Sequence, residues 1–349
     1  MEKENPFTLS FGKEPKEYIR RNAEYQDIIS DFDKENSTSN IYIITGVRGS
    51  GKTVLLTSLY KYFDEQNDYI AVDLNTRNLM LEDLAAAIYD KAPIKRKFLK
   101  PNFSFSFQGL SFSLNGENPV SSISQLLEKM LLAVKKQKMK VVITVDDIDT
   151  GEQMKLFVKE FQSLFRKDLP IYLVATGLYN IVDNLEKQEG LTFLQRGQKK
   201  YLSPLNIRYI ASSYKSVFNV NDNLASELAD LTKGYAFAYQ TLGYLLYESS
   251  KVEITNKLLS DYDYYLEEYV YRRLFVELSE KEKNILIAIA NKNINTNKEL
   301  IEAGVVSQND ITRYKEKLFK KGVCDISIRG EMHIALPRFK EYLQYYYKQ

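Results

Sequence analysis

Two periodicities alternate along the first 205 residues. Short β-favouring apolar runs stand at 41–44 (IYII), 68–74 (DYIAVDL), 140–149 (KVVITVDDID) and 169–177 (LPIYLVATG). Each is too short for a helix and apolar on both faces, which reads as a strand buried on both sides. A fifth short strand, KKYLSPL, closes on Pro204. Between the runs the apolar positions fall at helical spacing: Tyr18, Ile19, Tyr25, Ile28, Ile29 and Phe32 within 16–35, then the segments 79–91, 121–138 and 153–166. A further helix carries Leu191, Phe193, Leu194 and Arg196. Strands alternating with helices predict an α/β domain with a parallel sheet.

One stretch breaks that rhythm. NFSFSFQGLSFSLNG places Phe103, Phe105 and Phe107, then Leu110, Phe112 and Leu114, at alternate positions around Gly109. That period of two predicts a β-hairpin inserted at about 95–114. The hairpin reads either as packing on its own domain or as a contact for an acidic protein partner, with Lys95, Arg96, Lys97 and Lys100 at its root.

From 207 onward the pattern is helical: IRYIASSYKSVF, NLASELADLTKGY and AFAYQTLGYLLYE, with Gly234 expected just past the end of the second. Tyr262, Tyr264, Tyr265, Tyr269 and Tyr271 follow in 251–276 and read as packing rather than as a stacking platform. SEKEKNILIAIANK, NTNKELIEAG and SQNDITRYKEKLFKKG then predict three helices, the last capped at Ser307 and stopped by Gly322. VCDISIRGEMHIALP alternates as a hairpin turning at Arg329 and Gly330, with a final helix from Pro337. Three helices and a hairpin are the layout of a winged helix. The expected domains are a nucleotide-binding core at 1–204, a helical lid at 205–276 and the winged helix at 277–349.

Composition narrows the chemistry. The 349 residues are 44% hydrophobic and 27% charged, ordinary for a globular protein, and a net charge of +2 confines any basic surface to a local patch. Cys324 and His333 are the single cysteine and histidine, which excludes a disulfide framework, a His/Cys zinc site and a Cys/His nucleophilic pair. The beginning MEKENPFTLS lacks an apolar signal core and no run approaches a membrane span, so the expected location is the cytoplasm.

The sharpest signal is GVRGSGKT at 46–53, which fits G-x-x-x-x-G-K-[ST] at every fixed position and sits between a strand and a helix. Gly46, Gly49 and Gly51 are expected to give the loop positive φ and a close approach to phosphate. Gly46, Val47, Arg48, Gly49, Ser50, Gly51, Lys52, Thr53 and Val54 form the candidate nucleotide-binding set. Lys52 would reach the β- and γ-phosphates, and Thr53 would offer its hydroxyl to Mg²⁺. In 140–149 two carboxylates end a buried strand, where ligands of open α/β sheets sit. Asp146 would hold the metal, and Asp147 would orient or deprotonate the attacking water. Thr176, at the tip of the next strand, reads either as a contact to the γ-phosphate or the water, or as a turn former.

In their order, GVRGSGKT, VVITVDDID, LVATGLYN, LTFLQRG, KGYAFAYQTLG and the terminal helices resemble the AAA+ ATPases of the origin-recognition type and bacterial P-loop ATPases built like them. That resemblance implies a five-stranded parallel sheet of order 5-1-4-3-2 with a helical lid, ATP rather than GTP, Thr176 as sensor 1, and Arg196 as an arginine finger reaching a neighbouring subunit in a homo-oligomer. NKNI at Asn291 lacks the aspartate of the guanine-reading N-K-x-D. Three departures stand out. KGYAFAYQ lacks the sensor 2 arginine; it resembles the G-x-P segment of STAND ATPases with Ala236 in place of proline; and Asp147 replaces the frequent glutamate.

Two functions follow. One is an ATPase that binds double-stranded DNA through Asn309, Thr312, Arg313, Lys317, Lys320 and, on the wing, Arg329, with three more positive than negative charges in 307–321. The other is a STAND-like switch, in which nucleotide sets the docking of the winged helix and a protein partner reads it.

Overall fold

The computed structural model describes residues 4–10, 14–91, 104–107, 110–113, 122–249 and 251–348. They fall into two compact units, one built from Asn22–Thr45 and Leu55–Lys200, the other from the described parts of Met1–Arg21 with Gly46–Val54 and Tyr201–Gln349.

The first unit holds the strands β1 (Ile41–Thr45), β2 (Tyr69–Leu74), β3 (Ser104–Phe107), β4 (Leu110–Ser113), β5 (Lys140–Val145), β6 (Ile171–Gly177) and β7 (Gln198–Tyr201). Five of them form the sheet β2-β5-β6-β1-β7, the expected order 5-1-4-3-2 when the five are counted alone. β2 pairs with β5, β5 with β6 and β6 with β1, all parallel. Tyr42, Ile43, Val72, Val141, Val142, Leu173 and Val174 are buried, as a sheet covered on both faces requires. One face packs against α3 (Met80–Asp90), α4 (Ile123–Lys136) and α5 (Glu152–Arg166) through Leu84, Ile88, Leu127, Leu131, Phe157 and Phe161. In α4 the apolar residues 126, 127, 130, 131 and 134 recur every three or four positions, and Ser122 Oγ accepts the N–H of Gln125 as its cap. Full burial of each such side chain stabilises the unit by about 1.5–3 kcal/mol. The other face carries an aromatic cluster of Phe32, Tyr42, Phe63, Tyr69 and Tyr172. β3 and β4 form the expected hairpin, with Phe105 opposite Phe112 and Phe107 opposite Leu110. Lys95, Arg96, Lys97, Lys100, Phe103, Gly109 and Leu114 lie outside the described residues.

Three boundaries differ from the sequence reading. The first helix, α1, spans only Asn22–Phe32 rather than 16–35. The segment before it is held elsewhere instead, since the N–H of Glu17 bonds Pro6 O and Gln240 Nε2 bonds Glu17 O. After α6 (Tyr179–Glu186), the expected helix around Arg196 is a 3₁₀ turn, Thr192–Arg196. β5 ends at Val145 because Asp147 turns left-handed, with φ 53°.

In the second unit, α7 (Ile207–Phe218), α8 (Asp222–Thr232) and α9 (Ala236–Glu248) form a helical bundle. Phe7 packs so close to Gly243 that a Cβ there would lie 2.6 Å from its ring. α10 (Asn256–Leu266) runs through a π-helical turn, Glu267–Tyr271, into α11 (Arg272–Val276). Tyr262 and Tyr271 are buried, whereas Tyr264 and Tyr269 are exposed. α12 (Glu280–Lys292), α13 (Asn297–Glu302), α14 (Ile311–Lys320), the hairpin β8 (Cys324–Asp325) and β9 (His333–Ile334), and α15 (Phe339–Tyr346) complete the chain. α12 opens with a full capping box between Ser279 and Glu282. Ser307 does not cap α14: its hydroxyl binds Asp310 Oδ2 across a turn, and the helix begins only at Ile311. The left-handed end of α8 begins one residue before Gly234, at Lys233.

Candidate nucleotide site

Between β1 and α2 (Lys52–Glu65) the chain forms the loop 46–51. Gly49 and Gly51 have φ 71° and 89°, conformations that glycine adopts without strain. Gly46 does not share them, contrary to the expectation; glycine is required there by close approach, because a Cβ would lie 2.9 Å from Ser50 Oγ. Lys52 Nζ bonds the carbonyls of Gly46 and Val47 at 3.0 and 3.1 Å, folding back over the loop it starts from. The hydroxyl of Tyr235 donates to Arg48 O, and the N–H of Phe237 bonds Gly49 O at 3.0 Å. Burial pushes ionisation of the Tyr235 phenol well above its ordinary range, so it stays a donor. The hydroxyl of Ser50, a buried residue, has no partner among the described residues.

A cavity of about 430 Å³ opens beside this loop. Ligand pockets run from about 300 to 1,000 Å³, so it has the size for a small organic group. Its walls include Arg21, Leu202, Gly234 and Tyr235, and, from the last hairpin and its helix, Lys320 and His333. Arg21 bonds Ser203 O at 2.8 Å and Ser50 O at 2.9 Å. Lys233 Nζ reaches Ile334 O at 3.2 Å, and His333 Nε2 lies 2.6 Å from Glu331 Oε2. The sequence reading missed Arg21, Tyr235 and His333. A lone arginine ahead of a helix carries no spacing signal, and His333 had entered only as a count.

The acidic strand tip lies in the first unit. Thr176 is fully buried; its hydroxyl donates to Asp146 Oδ1 at 2.5 Å and accepts the N–H of Asp147 at 2.8 Å. Ile148 N–H bonds Thr176 O at 2.8 Å, so the loop after β5 is tied twice to the end of β6. Asp146 and Asp147 are both exposed. A left-handed aspartate is uncommon and costs about 1–3 kcal/mol, and such strain clusters at working sites. On β2, Asp73 accepts from Thr144 Oγ1 at 2.5 Å. Desolvation raises its carboxyl above the ordinary range, and the charge of Asp146 adds to the rise.

Arg196 is exposed, with no hydrogen bond or ion pair among the described residues. Of the candidate DNA residues, Asn309, Thr312 and Arg329 are exposed. Arg313 is paired with Asp310 at 2.7 Å and Lys320 lies 3.9 Å from Glu316. Lys317 has no ion pair among the described residues, whereas Lys321 is bound to buried Glu282 at 2.8 Å. That last pair cuts the available surplus of positive charge in 307–321 from three to two.

Residues 21–175 match a family of ATPase domains described as predominantly from Archaea. The chain is 23% identical over 327 residues to origin recognition complex subunit 4 of Dictyostelium discoideum, covering 81% of this chain and 72% of that protein. Among solved structures, the Walker-type ATPase of Pyrococcus abyssi matches with a TM-score of 0.59 at 14% identity, over 94% of this chain and 96% of that one. A Cdc6 protein from Pyrobaculum aerophilum matches with a TM-score of 0.47 at 13% identity, over 96% of each chain. The Pyrococcus match supports a shared fold. Among the described residues, no helix is long and apolar enough to cross a membrane.

Proposed function

We propose that this chain, whose residues 21–175 match a family of ATPase domains, is an origin-recognition-like AAA+ ATPase that binds ATP with Mg²⁺ at 46–53, hydrolyses it, and holds double-stranded DNA through its C-terminal winged helix. The observation that carries the nucleotide half is Lys52 Nζ resting on the carbonyls of its own glycine loop, with Gly49 and Gly51 left-handed. Phosphate oxygens can take over those contacts, and the unpartnered Ser50 hydroxyl suits an anion equally well. Thr53 and Asp146 are hard oxygen donors of the kind Mg²⁺ takes, one or two protein ligands beside the phosphates. Bound there, the metal would neutralise charge building on the β- and γ-phosphates. Asp147 orients the attacking water and accepts its proton, while Thr176 holds Asp146 and the backbone of Asp147 in place. The expected setting is the cytoplasm.

Arg196 is the proposed finger. A finger supplied by another subunit contributes about 10³ to 10⁵ in rate. Turnover per chain should therefore rise with protein concentration and collapse in Arg196→Ala. Turnover independent of both would remove the role.

For DNA, the supporting groups are Lys317 and Arg329 with exposed Asn309 and Thr312. With a surplus of two charges, only a few phosphate contacts are available, so the logarithm of affinity should fall with the logarithm of salt with a slope of about two to three. Duplex DNA titrated at low salt, with and without ATP, tests this, and the absence of salt-sensitive binding would sink the DNA reading. A second reading, a nucleotide-dependent switch that acts on a protein partner, is favoured by the cavity wall. Lys320 and His333 line the cavity beside the glycine loop, and a Cβ on Gly322 would lie 3.3 Å from Val47. In that reading ADP and ATP shift how the last hairpin sits on the loop, and the β3–β4 hairpin is a candidate contact for the partner.

A further inference from the structure

Arg48 stands in the middle of the glycine loop with its guanidinium paired to Glu277. Nε and Nη2 both lie 2.9 Å from Oε1 of Glu277, so two donors converge on one carboxylate oxygen. Glu277 is rigidly presented: its N–H closes the end of α11 on the carbonyls of Arg273 and Leu274, Leu278 beside it is buried, and Ser279 begins the capping box of α12. At the other end, the Tyr235 hydroxyl pins the carbonyl of Arg48. Lys52, the side chain proposed to reach the β- and γ-phosphates, bonds the carbonyls of the two residues before Arg48. The residue next along the loop is therefore set where the terminal phosphate arrives, and it carries the one side chain of the loop that can grip phosphate in a fork.

We infer that Arg48 is a terminal-phosphate ligand held in reserve by Glu277, so that the junction ahead of the last three-helix segment sets how strongly the site prefers ATP over ADP. The inference rests on the proposal that this loop binds ATP. When Glu277 holds the guanidinium, the site meets ATP and ADP with nearly equal charge; when Glu277 lets go, the extra phosphate of ATP gains a partner that ADP cannot use. Magnitude decides what kind of control this is. The side chains are 35% and 27% exposed, and a solvent-reached pair shifts an equilibrium by roughly two- to fivefold. Glu277 thus biases the site and does not lock it.

The test uses the full chain in equilibrium titrations with a non-hydrolysable ATP analogue and with ADP, both with Mg²⁺. Glu277→Gln should raise the preference for the analogue over ADP about two- to fivefold with the melting temperature of the protein retained. Arg48→Ala should lower that preference and make a Glu277→Gln change in the same chain silent, while Arg48→Lys, which keeps the charge without the fork, should fall between. An unchanged preference in folded Glu277→Gln, or a gain that persists with Arg48→Ala, overturns the inference and leaves the ATP reading intact. Failure of the wild-type chain to bind either nucleotide overturns both.

Discussion

Replacing Lys52 with alanine is expected to weaken nucleotide binding to the point of loss at ordinary working concentrations. The ammonium is the one flexible cation that starts the helix after the glycine loop, and it lies on the loop carbonyls. Removing one partner of a desolvated charge pair costs about 2–5 kcal/mol, which weakens affinity by roughly 30- to several thousand-fold. The loop itself should survive. Tyr235 and Phe237 still hold the carbonyls of Arg48 and Gly49, and Arg21 still holds that of Ser50. A melting curve close to that of the wild type, beside a lost binding isotherm, is the expected pair of results; retained binding would remove Lys52 from the site.

The second large effect belongs to Asp147. Asp147→Asn should leave ATP binding within a few-fold of the wild type and slow hydrolysis by about 10² to 10⁴, the contribution of a positioned general base. The substitution is a fair probe because the backbone of residue 147 is held independently of its side chain. Its N–H is bonded to the Thr176 hydroxyl, and asparagine tolerates the left-handed turn as well as aspartate does. Normal turnover in this variant would refute the assigned role. Aspartate is a methylene shorter than the glutamate the family resemblance suggests at this position, and its backbone is left-handed, with φ 53°.

Much of the first unit was legible in the residues themselves. The runs at 41–44, 68–74, 140–149 and 169–177 are apolar on both faces, and a covered parallel sheet accepts such strands, so existence and type agree with the structure, while the sheet order came from the family resemblance and agrees as well. The glycine loop was legible because its chemistry needs fixed residue types at fixed spacing. Boundaries were read less well wherever a hydrogen bond between distant residues overrides local periodicity. The helix expected over 16–35 loses its first turns because Gln240 captures Glu17. Arg21, Tyr235 and the Arg48–Glu277 pair were illegible for the same reason. Each acts across a long stretch of chain, and nothing in the local pattern of an arginine or a tyrosine distinguishes it from its neighbours.

The charge count in 307–321 shows the limit of composition. Three surplus positive charges suggest a phosphate-binding face, but Lys321 neutralises a glutamate that is itself capping α12. The face that remains is smaller than the count implied, and the cavity beside the glycine loop takes Lys320 as well.

The central claim is that this glycine loop and this acidic strand tip together turn over ATP. Phosphate release from ATP with Mg²⁺, measured side by side for the wild-type chain, Lys52→Ala and Asp147→Asn at matched protein concentration, tests it most directly. The account predicts steady release by the wild type, none by Lys52→Ala, release slowed about 10² to 10⁴ in Asp147→Asn, and retained ATP binding by Asp147→Asn alone of the two. Equal release by all three, or a wild-type chain that neither binds nor cleaves ATP, would contradict it.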